Sequence, residues 1–193
     1  MDIKFKPYTI LHEHEIDCLV DNVNNIPEGD IVCAGTWNGG DVMSMINVQP
    51  DKYYIVIDSF NGLNQQTEED YVKNKYNNNV KEGLFSIGGK DNYIKNFKEK
   101  NIRLPDEIYE LWISDLTIKK VKVQSIAMLW LDLDLYEPTL SCLNYFKNYI
   151  VNDGIILVHD YSLPDTPGIK QACDKYFNNW KHQIGGIYKT KLN

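Results

Sequence analysis

The chain has 193 residues, a length that suits one domain with a sizeable core, and 20 Lys+Arg against 27 Asp+Glu leave a net charge of -7. That sign disfavours long-range attraction to phosphate backbones, and Lys119, Lys120 and Lys122 make only a short solvated edge, so no nucleic-acid partner is expected. No apolar stretch reaches the roughly twenty residues needed to cross hydrocarbon, and no leader-like segment opens the sequence, so the expectation is a cytoplasmic protein with no membrane partner.

Within residues 1–28, Ile16, Leu19, Val20 and Val23 recur at helical spacing until Pro27-Glu-Gly-Asp30 stops the pattern, which predicts a short amino-terminal helical region. Asp30–Ala34 reads as an apolar strand that meets Gly35-Thr-Trp-Asn-Gly-Gly40, and Val42, Met45 and Ile46 then fit one face of a helix. After the turn signal Gln49-Pro-Asp51, residues 53–57 form the next strand and end in Asp58-Ser-Phe-Asn-Gly-Leu63. Residues 65–81 are polar and rich in Asn, Glu and Lys, and read as either helix or a mobile cover. Residues 91–100 are a clearer amphipathic helix through Tyr93, Ile94 and Phe97.

Residues 108–113 read as a strand delivering Ser114-Asp115, and the strongest apolar run, 126–131, follows a polar interval. Pro138 suits the first turn of a helix carrying Leu140, Leu143 and Phe146, which Asn152-Asp-Gly154 is expected to end before a strand over 155–158. Ile169, Cys173 and Tyr176 predict a last helix, and residues 184–190 one additional strand. Strands alternating with helices favour an α/β fold, a three-layer α/β/α sandwich formed by a single domain over 1–193. The four cysteines, Cys18, Cys33, Cys142 and Cys173, lack paired metal-ligand spacing and read as reduced, partly buried thiols.

Two apolar runs end abruptly in charge: 126–131 in Asp132 and Asp134, and 155–158 in His159 and Asp160. Buried parallel strands would deliver these groups together at the carboxyl edge of a sheet, as an acidic metal or catalytic site. Oxygen ligands with one imidazole suit Mg2+ or Mn2+, and His159 is either a ligand or a general base, with a strand-edge hydrogen bond as the plain alternative. Asp134 either orients a neighbour, accepts a proton or caps the next helix. Gly35, Gly39 and Gly40 offer a surface for close ligand approach but match neither the dinucleotide nor the P-loop pattern. Asp58 after the second strand can accept a ribose diol, and Asp115 can contact a nucleoside, or each can simply cap a turn.

These segments, taken in order over about residues 28 to 177, resemble the family of S-adenosylmethionine-dependent sugar O-methyltransferases typified by macrocin O-methyltransferase. Gly29-Asp-Ile-Val with Gly35-Thr-Trp-Asn-Gly-Gly40 is similar to its first cofactor motif and Asp58-Ser-Phe-Asn-Gly-Leu63 to its second. Asp132-Leu-Asp-Leu-Tyr-Glu-Pro-Thr139 resembles its aspartate-bearing segment after the fourth strand, and His159-Asp-Tyr161 its paired-acid metal motif after the next. The resemblance implies a Rossmann-like class I methyltransferase with a mostly parallel seven-stranded sheet. It implies a donor, S-adenosyl-L-methionine, held by Gly35, Thr36, Trp37, Gly39, Gly40, Asp58, Ser59, Phe60 and Asp115. A metal ion, Mg2+ or Mn2+, would sit on Asp132, His159 and Asp160, with His159, Asp134 and Asp132 as catalytic groups. The implied acceptor is a hydroxyl of a sugar or sugar-containing metabolite, with catechol-like acceptors, a metal-independent methyltransferase and a non-catalytic metabolite-binding protein as alternatives.

The sequence departs from the family pattern where an acidic residue near the end of the first strand is replaced by Cys33-Ala34, which bears on recognition of the methionine amino group. Trp130 stands for an arginine and His159-Asp160 for paired aspartates. The amino-terminal extension associated with substrate enclosure is short, so a neighbouring subunit of a homo-oligomer is one way to complete the pocket. Trp37, Phe60, Trp112, Trp130 and Tyr136 are candidate aromatic walls, with packing between sheet and helices the alternative for each.

Overall fold

A computed structural model describes residues 5–191. Seven strands form one sheet in the order β3-β2-β1-β4-β5-β7-β6. Strands β1 (Asp30–Ala34), β2 (Tyr54–Asp58), β3 (Glu107–Glu110), β4 (Ile126–Leu131) and β5 (Ile150–Val158) run parallel, while β7 (Ile187–Lys191) and β6 (Lys181–Ile184) add an antiparallel edge. The helices are α1 (Glu13–Val23), α2 (Gly40–Val48), α3 (Lys90–Lys100), α4 (Tyr136–Phe146) and α5 (Pro167–Asp174).

Alternation along the central strands explains the three layers. Ile31, Cys33, Met128, Trp130, Ile155 and Leu157 face one core with α1, α2 and α3, whereas Val32, Ala34, Leu129, Leu131, Ile156 and Val158 face a second core with α4 and α5. Because both faces are covered, these strands read in sequence as unbroken apolar runs. Chain order reverses on either side of β1, which pairs with β2 and β4, and this opens a crevice at the carboxyl ends of the strands.

Three expectations are corrected. Residues 65–81 do not form an α-helix: two single-turn 3-10 segments, Glu68–Asp70 and Asn78–Val80, punctuate an irregular stretch. Buried Asp70 accepts the Tyr136 N–H at 2.7 Å and Gln66 binds the Asn77 and Val80 carbonyls, so the stretch is fastened by its own polar side chains against α4. Asn152-Asp-Gly154 lies inside β5 rather than before it; the chain bulges there, shifting from Ile126↔Ile150 to Met128↔Ile155, with Asp153 at φ 64°. The single strand expected over 184–190 is a hairpin, β6 and β7, turning at Gly185 and Gly186.

Cys33, Cys142 and Cys173 are buried free thiols and Cys18 is half-buried. Among the described residues, no helix is long and apolar enough to cross a membrane.

Candidate active site

A cleft opens at the carboxyl ends of β1, β2, β3, β4 and β5. It is lined by Gly35, Thr36 and Trp37 after β1, by Asp58 at the end of β2 and Ser59 beyond it, by Trp112 and Ile113 after β3, by Asp132 to Leu135 after β4, and by His159 and Asp160 after β5. Tyr8, Thr9, Ile10 and Leu11 border it from the amino-terminal side. The backbone is bent sharply around this rim: Trp37, Phe60, Asp134 and Asp160 all take positive φ (45°, 53°, 59° and 61°), a conformation that non-glycine residues keep only where their surroundings enforce it.

Asp58 organises the first half of the cleft. Its Oδ2 accepts the Thr36 and Trp37 N–H groups at 2.7 and 3.0 Å, and its Oδ1 accepts the Phe60 N–H at 2.7 Å. A carboxylate has about four acceptor sites, so one remains for a ligand. Burial pushes the Asp58 carboxyl upward, and the three amides counter this. Gly35, at φ +75°, is required by the protein itself, because a Cβ there would collide with the Asp132 carbonyl.

The remaining glycines of that motif do not border the cleft. Positions 39 and 40 back onto the Tyr93 and Phe97 rings and onto the Tyr8–Thr9 backbone, so close packing rather than ligand approach excludes a side chain there. Phe60 is buried against Tyr93, contributing its amide but no wall. Asp115 lies away from the site, in a separate hollow with Lys119 and Tyr145. Of the candidate aromatic walls, Trp37 and Trp112 border the cleft, whereas Trp130 and Tyr136 are buried and do not line it.

The second half is a cluster of charge. His159 Nδ1 stands 2.8 Å from Asp160 Oδ1 and 3.2 Å from Asp132 Oδ1. Neither contact is aligned as a hydrogen bond: among the described residues, His159 Nδ1 and Asp160 Oδ1 are buried without a hydrogen-bond partner. Ligands at about 2.1 Å from an octahedral cation lie about 3 Å from one another along each edge. The donor set therefore fits a small divalent cation, and the ligand atoms of Asp132, His159 and Asp160 all lie within 4.8 Å of one another. Burial opposes charge on His159, but Asp132, Asp160 and Glu15 outweigh it and hold the ring well above its ordinary pKa. Asp134 is also pushed well upward, by burial and by the crowding of Asp132 and Asp160.

Two groups in this region escape sequence reading. Glu15, on α1, is 4% exposed and meets His159 Nε2 at 3.2 Å. Its apolar line-up with Leu19 and Val23 at four-residue spacing was the available signal, since an acid in a buried stripe needs a partner. Asp41, on α2, borders the cleft; its Oδ2 accepts the Trp130 indole N–H at 2.8 Å, and Oδ1 is buried without a partner among the described residues. Burial, eased by Trp130, raises Asp41 to about 7. Cys33 and Trp130, two of the strand positions that depart from the family pattern, are direct partners in the sheet, and Asp41 supplies a carboxylate beside them.

Comparison with known proteins gives a consistent picture. The family described as Macrocin-O-methyltransferase (TylF) matches residues 10–186. Demethyldecarbamoylnovobiocin O-methyltransferase of Streptomyces niveus is 26% identical over 166 residues, which are 82% of this chain and 62% of that protein; the chain thus spans less than two thirds of this relative. The structure of the O-methyltransferase NovP aligns with a TM-score of 0.73 at 21% identity, covering 95% of this chain and 81% of NovP. That of the calicheamicin methyltransferase CalS11 aligns at 0.74 and 20% identity, covering 94% and 80%. An apo structure of CalS11, described as a TDP-rhamnose 3'-O-methyltransferase, aligns at 0.63 and 17% identity, covering 94% and 81%. At these identities the structural likenesses establish the class I methyltransferase fold.

Proposed function

Because the chain belongs to the macrocin-O-methyltransferase family, we propose that it transfers a methyl group from S-adenosyl-L-methionine to a hydroxyl of a sugar or sugar-containing metabolite, with Mg2+ or Mn2+ held by Asp132, His159 and Asp160. The observation that carries this reading is the convergence of Asp132 Oδ1 and Asp160 Oδ1, at 3.2 and 2.8 Å, on His159 Nδ1 in the lining of the cleft. The sugar preference is supported by the family and by CalS11, whose acceptor carries rhamnose.

In this reading Asp58 uses its remaining acceptor capacity for a ribose hydroxyl, and Gly35, Thr36, Trp37 and Ser59 form the bed of the donor. A bound divalent cation would supply Lewis acidity that lowers the cost of an alkoxide on the acceptor. Asp134, which borders the cleft beside Asp132, takes the hydroxyl proton at its carboxylate. His159, whose Nε2 faces Glu15 and whose unpartnered Nδ1 stands at the point shared by Asp132 and Asp160, serves as a ligand rather than the base. The protein's own contribution is to hold acceptor oxygen and donor methyl in line and away from water.

The test is mass-spectrometric detection of methyl transfer to a panel of nucleotide-linked sugars, run with Mg2+, with Mn2+ and with a chelator. Transfer to a sugar hydroxyl that stops on chelation and returns with either ion is expected. Transfer that ignores the chelator would contradict the metal reading and leave protonated His159 as the cation of the site. Binding of S-adenosylmethionine with no transfer to any member would favour a non-catalytic role.

A further inference from the structure

We propose that Glu15 is a positioning residue: by accepting a hydrogen bond from His159 Nε2–H it fixes the imidazole tautomer and turns Nδ1 toward the point shared by Asp132 and Asp160. This rests on the metal-site reading above and deepens it, since nothing in that reading requires a residue from α1.

A neutral imidazole has one N–H and one ring-nitrogen lone pair, and whichever nitrogen donates its N–H hydrogen bond to a carboxylate leaves the other free to bind a cation. Glu15 Oε1 lies 3.2 Å from His159 Nε2, on the side of the ring away from Asp132 and Asp160. The carboxylate cannot drift. Its Oε2 accepts the His12 N–H at 3.0 Å, and Oε1 also accepts the Gly186 N–H at 2.9 Å. The ring is equally confined: Trp130 stands edge-on with centroids 6.1 Å apart, and a Cβ at position 186 would fall 3.0 Å from Nε2 and 3.1 Å from Asp160 Oδ1. Only a glycine turn fits that gap, and its amide completes the shell of Glu15. A carboxylate placed in line with Leu19 and Val23 would be costly without such partners, and His159 is the only one of the three contacts, among the described residues, that offers a titratable side chain. The amino-terminal helix and the β6–β7 turn thus meet on one carboxylate whose far side is the site.

Glu15 also caps α1 through His12, so a structural role must be separated from a positioning one. E15Q keeps one side-chain oxygen, which can still accept hydrogen bonds from the His159 and Gly186 N–H groups, but puts an amide nitrogen where Oε2 accepted the His12 N–H. E15L removes both acceptors. Mn2+ binding to the full chain, followed by electron paramagnetic resonance, is measured for the unsubstituted protein, E15Q, E15L and D132N, with thermal unfolding of each. The expected result is a 10- to 100-fold loss of affinity in E15L, the range typical of outer partners of metal-bound histidine, and a change of only a few fold in E15Q despite similar losses of thermal stability. In addition, 15N spectra of histidine-labelled protein loaded with Mg2+ should show His159 protonated at Nε2 only. Unchanged affinity in E15L, equal losses in E15L and E15Q, or a proton on Nδ1 with Nε2 bare would overturn the role of Glu15. The spectrum of the unsubstituted protein decides the matter even if E15L does not fold. Loss in D132N without loss in E15L refutes Glu15 alone, whereas no Mn2+ binding by the unsubstituted chain, or no effect of D132N, removes the metal reading with it.

Discussion

Replacing Asp58 tests how the cleft is built. Its three bonds, from Thr36 N, Trp37 N and Phe60 N at 2.7, 3.0 and 2.7 Å, tie the turn after β1 to the turn after β2. Hydrogen bonds to a charged group contribute about 1.5–3 kcal/mol each, and an amide left buried without a partner costs about 1–3 kcal/mol. Burial of the carboxylate offsets part of this, as its raised pKa indicates. D58N keeps one oxygen for Thr36 and Trp37 but turns an NH2 group toward the Phe60 N–H, so one bond is lost and replaced by repulsion, a cost of about 2 kcal/mol. D58A strands all three amides and should cost about 4 kcal/mol, less than the sum because the turns relax. Urea unfolding should show the midpoint falling in that order with the slope unchanged, and hydrogen exchange should speed up at Thr36 and Trp37 first. If D58A unfolds at the same urea concentration as the unsubstituted protein with both amides still protected, the turn does not depend on Asp58 and the argument for its residual acceptor site fails.

Gly35→Ala forces a Cβ onto the Asp132 carbonyl at φ +75°, so it should destabilise the fold by about 2 kcal/mol or more and also weaken Mn2+ binding. Thermal unfolding and metal titration check both, and intact Mn2+ affinity would show that Asp132 is not set by this contact. Asp41 is raised to about 7 from 3.8, so its protonated form is favoured by folding. Its contribution to stability is present below the unfolded pKa and is lost as pH rises through about 7, at no more than about 1.4 kcal/mol per pH unit. The groups facing Asp41 are Trp130, Cys33, Tyr93 and Asp132. D41N keeps an acceptor for the Trp130 indole and removes the titration, so the variant should gain on the unsubstituted protein between about pH 4 and about pH 7. Parallel pH–stability curves for the two would refute the burial assignment.

Much of this architecture was written in the apolar runs. Strands β1 and β4 were bounded correctly, and β2 to within a residue, because a strand buried on both faces has no polar positions to blur its ends. The acids that terminate β2 and β4, and the His-Asp pair after β5, announced the edge where the cleft lies. Residues 65–81 misled because their shape comes from side-chain hydrogen bonds at Gln66, Asp70 and Asn77, which leave no periodicity. Gly39 and Gly40 misled for another reason: a glycine demanded by a neighbouring ring looks the same in sequence as one demanded by a ligand. Glu15 and Asp41 were hidden because each acts from a helix on a strand end far along the chain, as the separation of 144 residues between Glu15 and His159 illustrates.

The central claim is that three side chains converge on one cation beside the donor cleft. Anomalous diffraction from crystals grown with Mn2+ and S-adenosylhomocysteine tests it directly. The account predicts a single strong peak about 2.2 Å from Asp132 Oδ1, His159 Nδ1 and Asp160 Oδ1, with S-adenosylhomocysteine in the adjoining cleft. A peak elsewhere, a peak on Nε2, or none at a saturating Mn2+ concentration would contradict it.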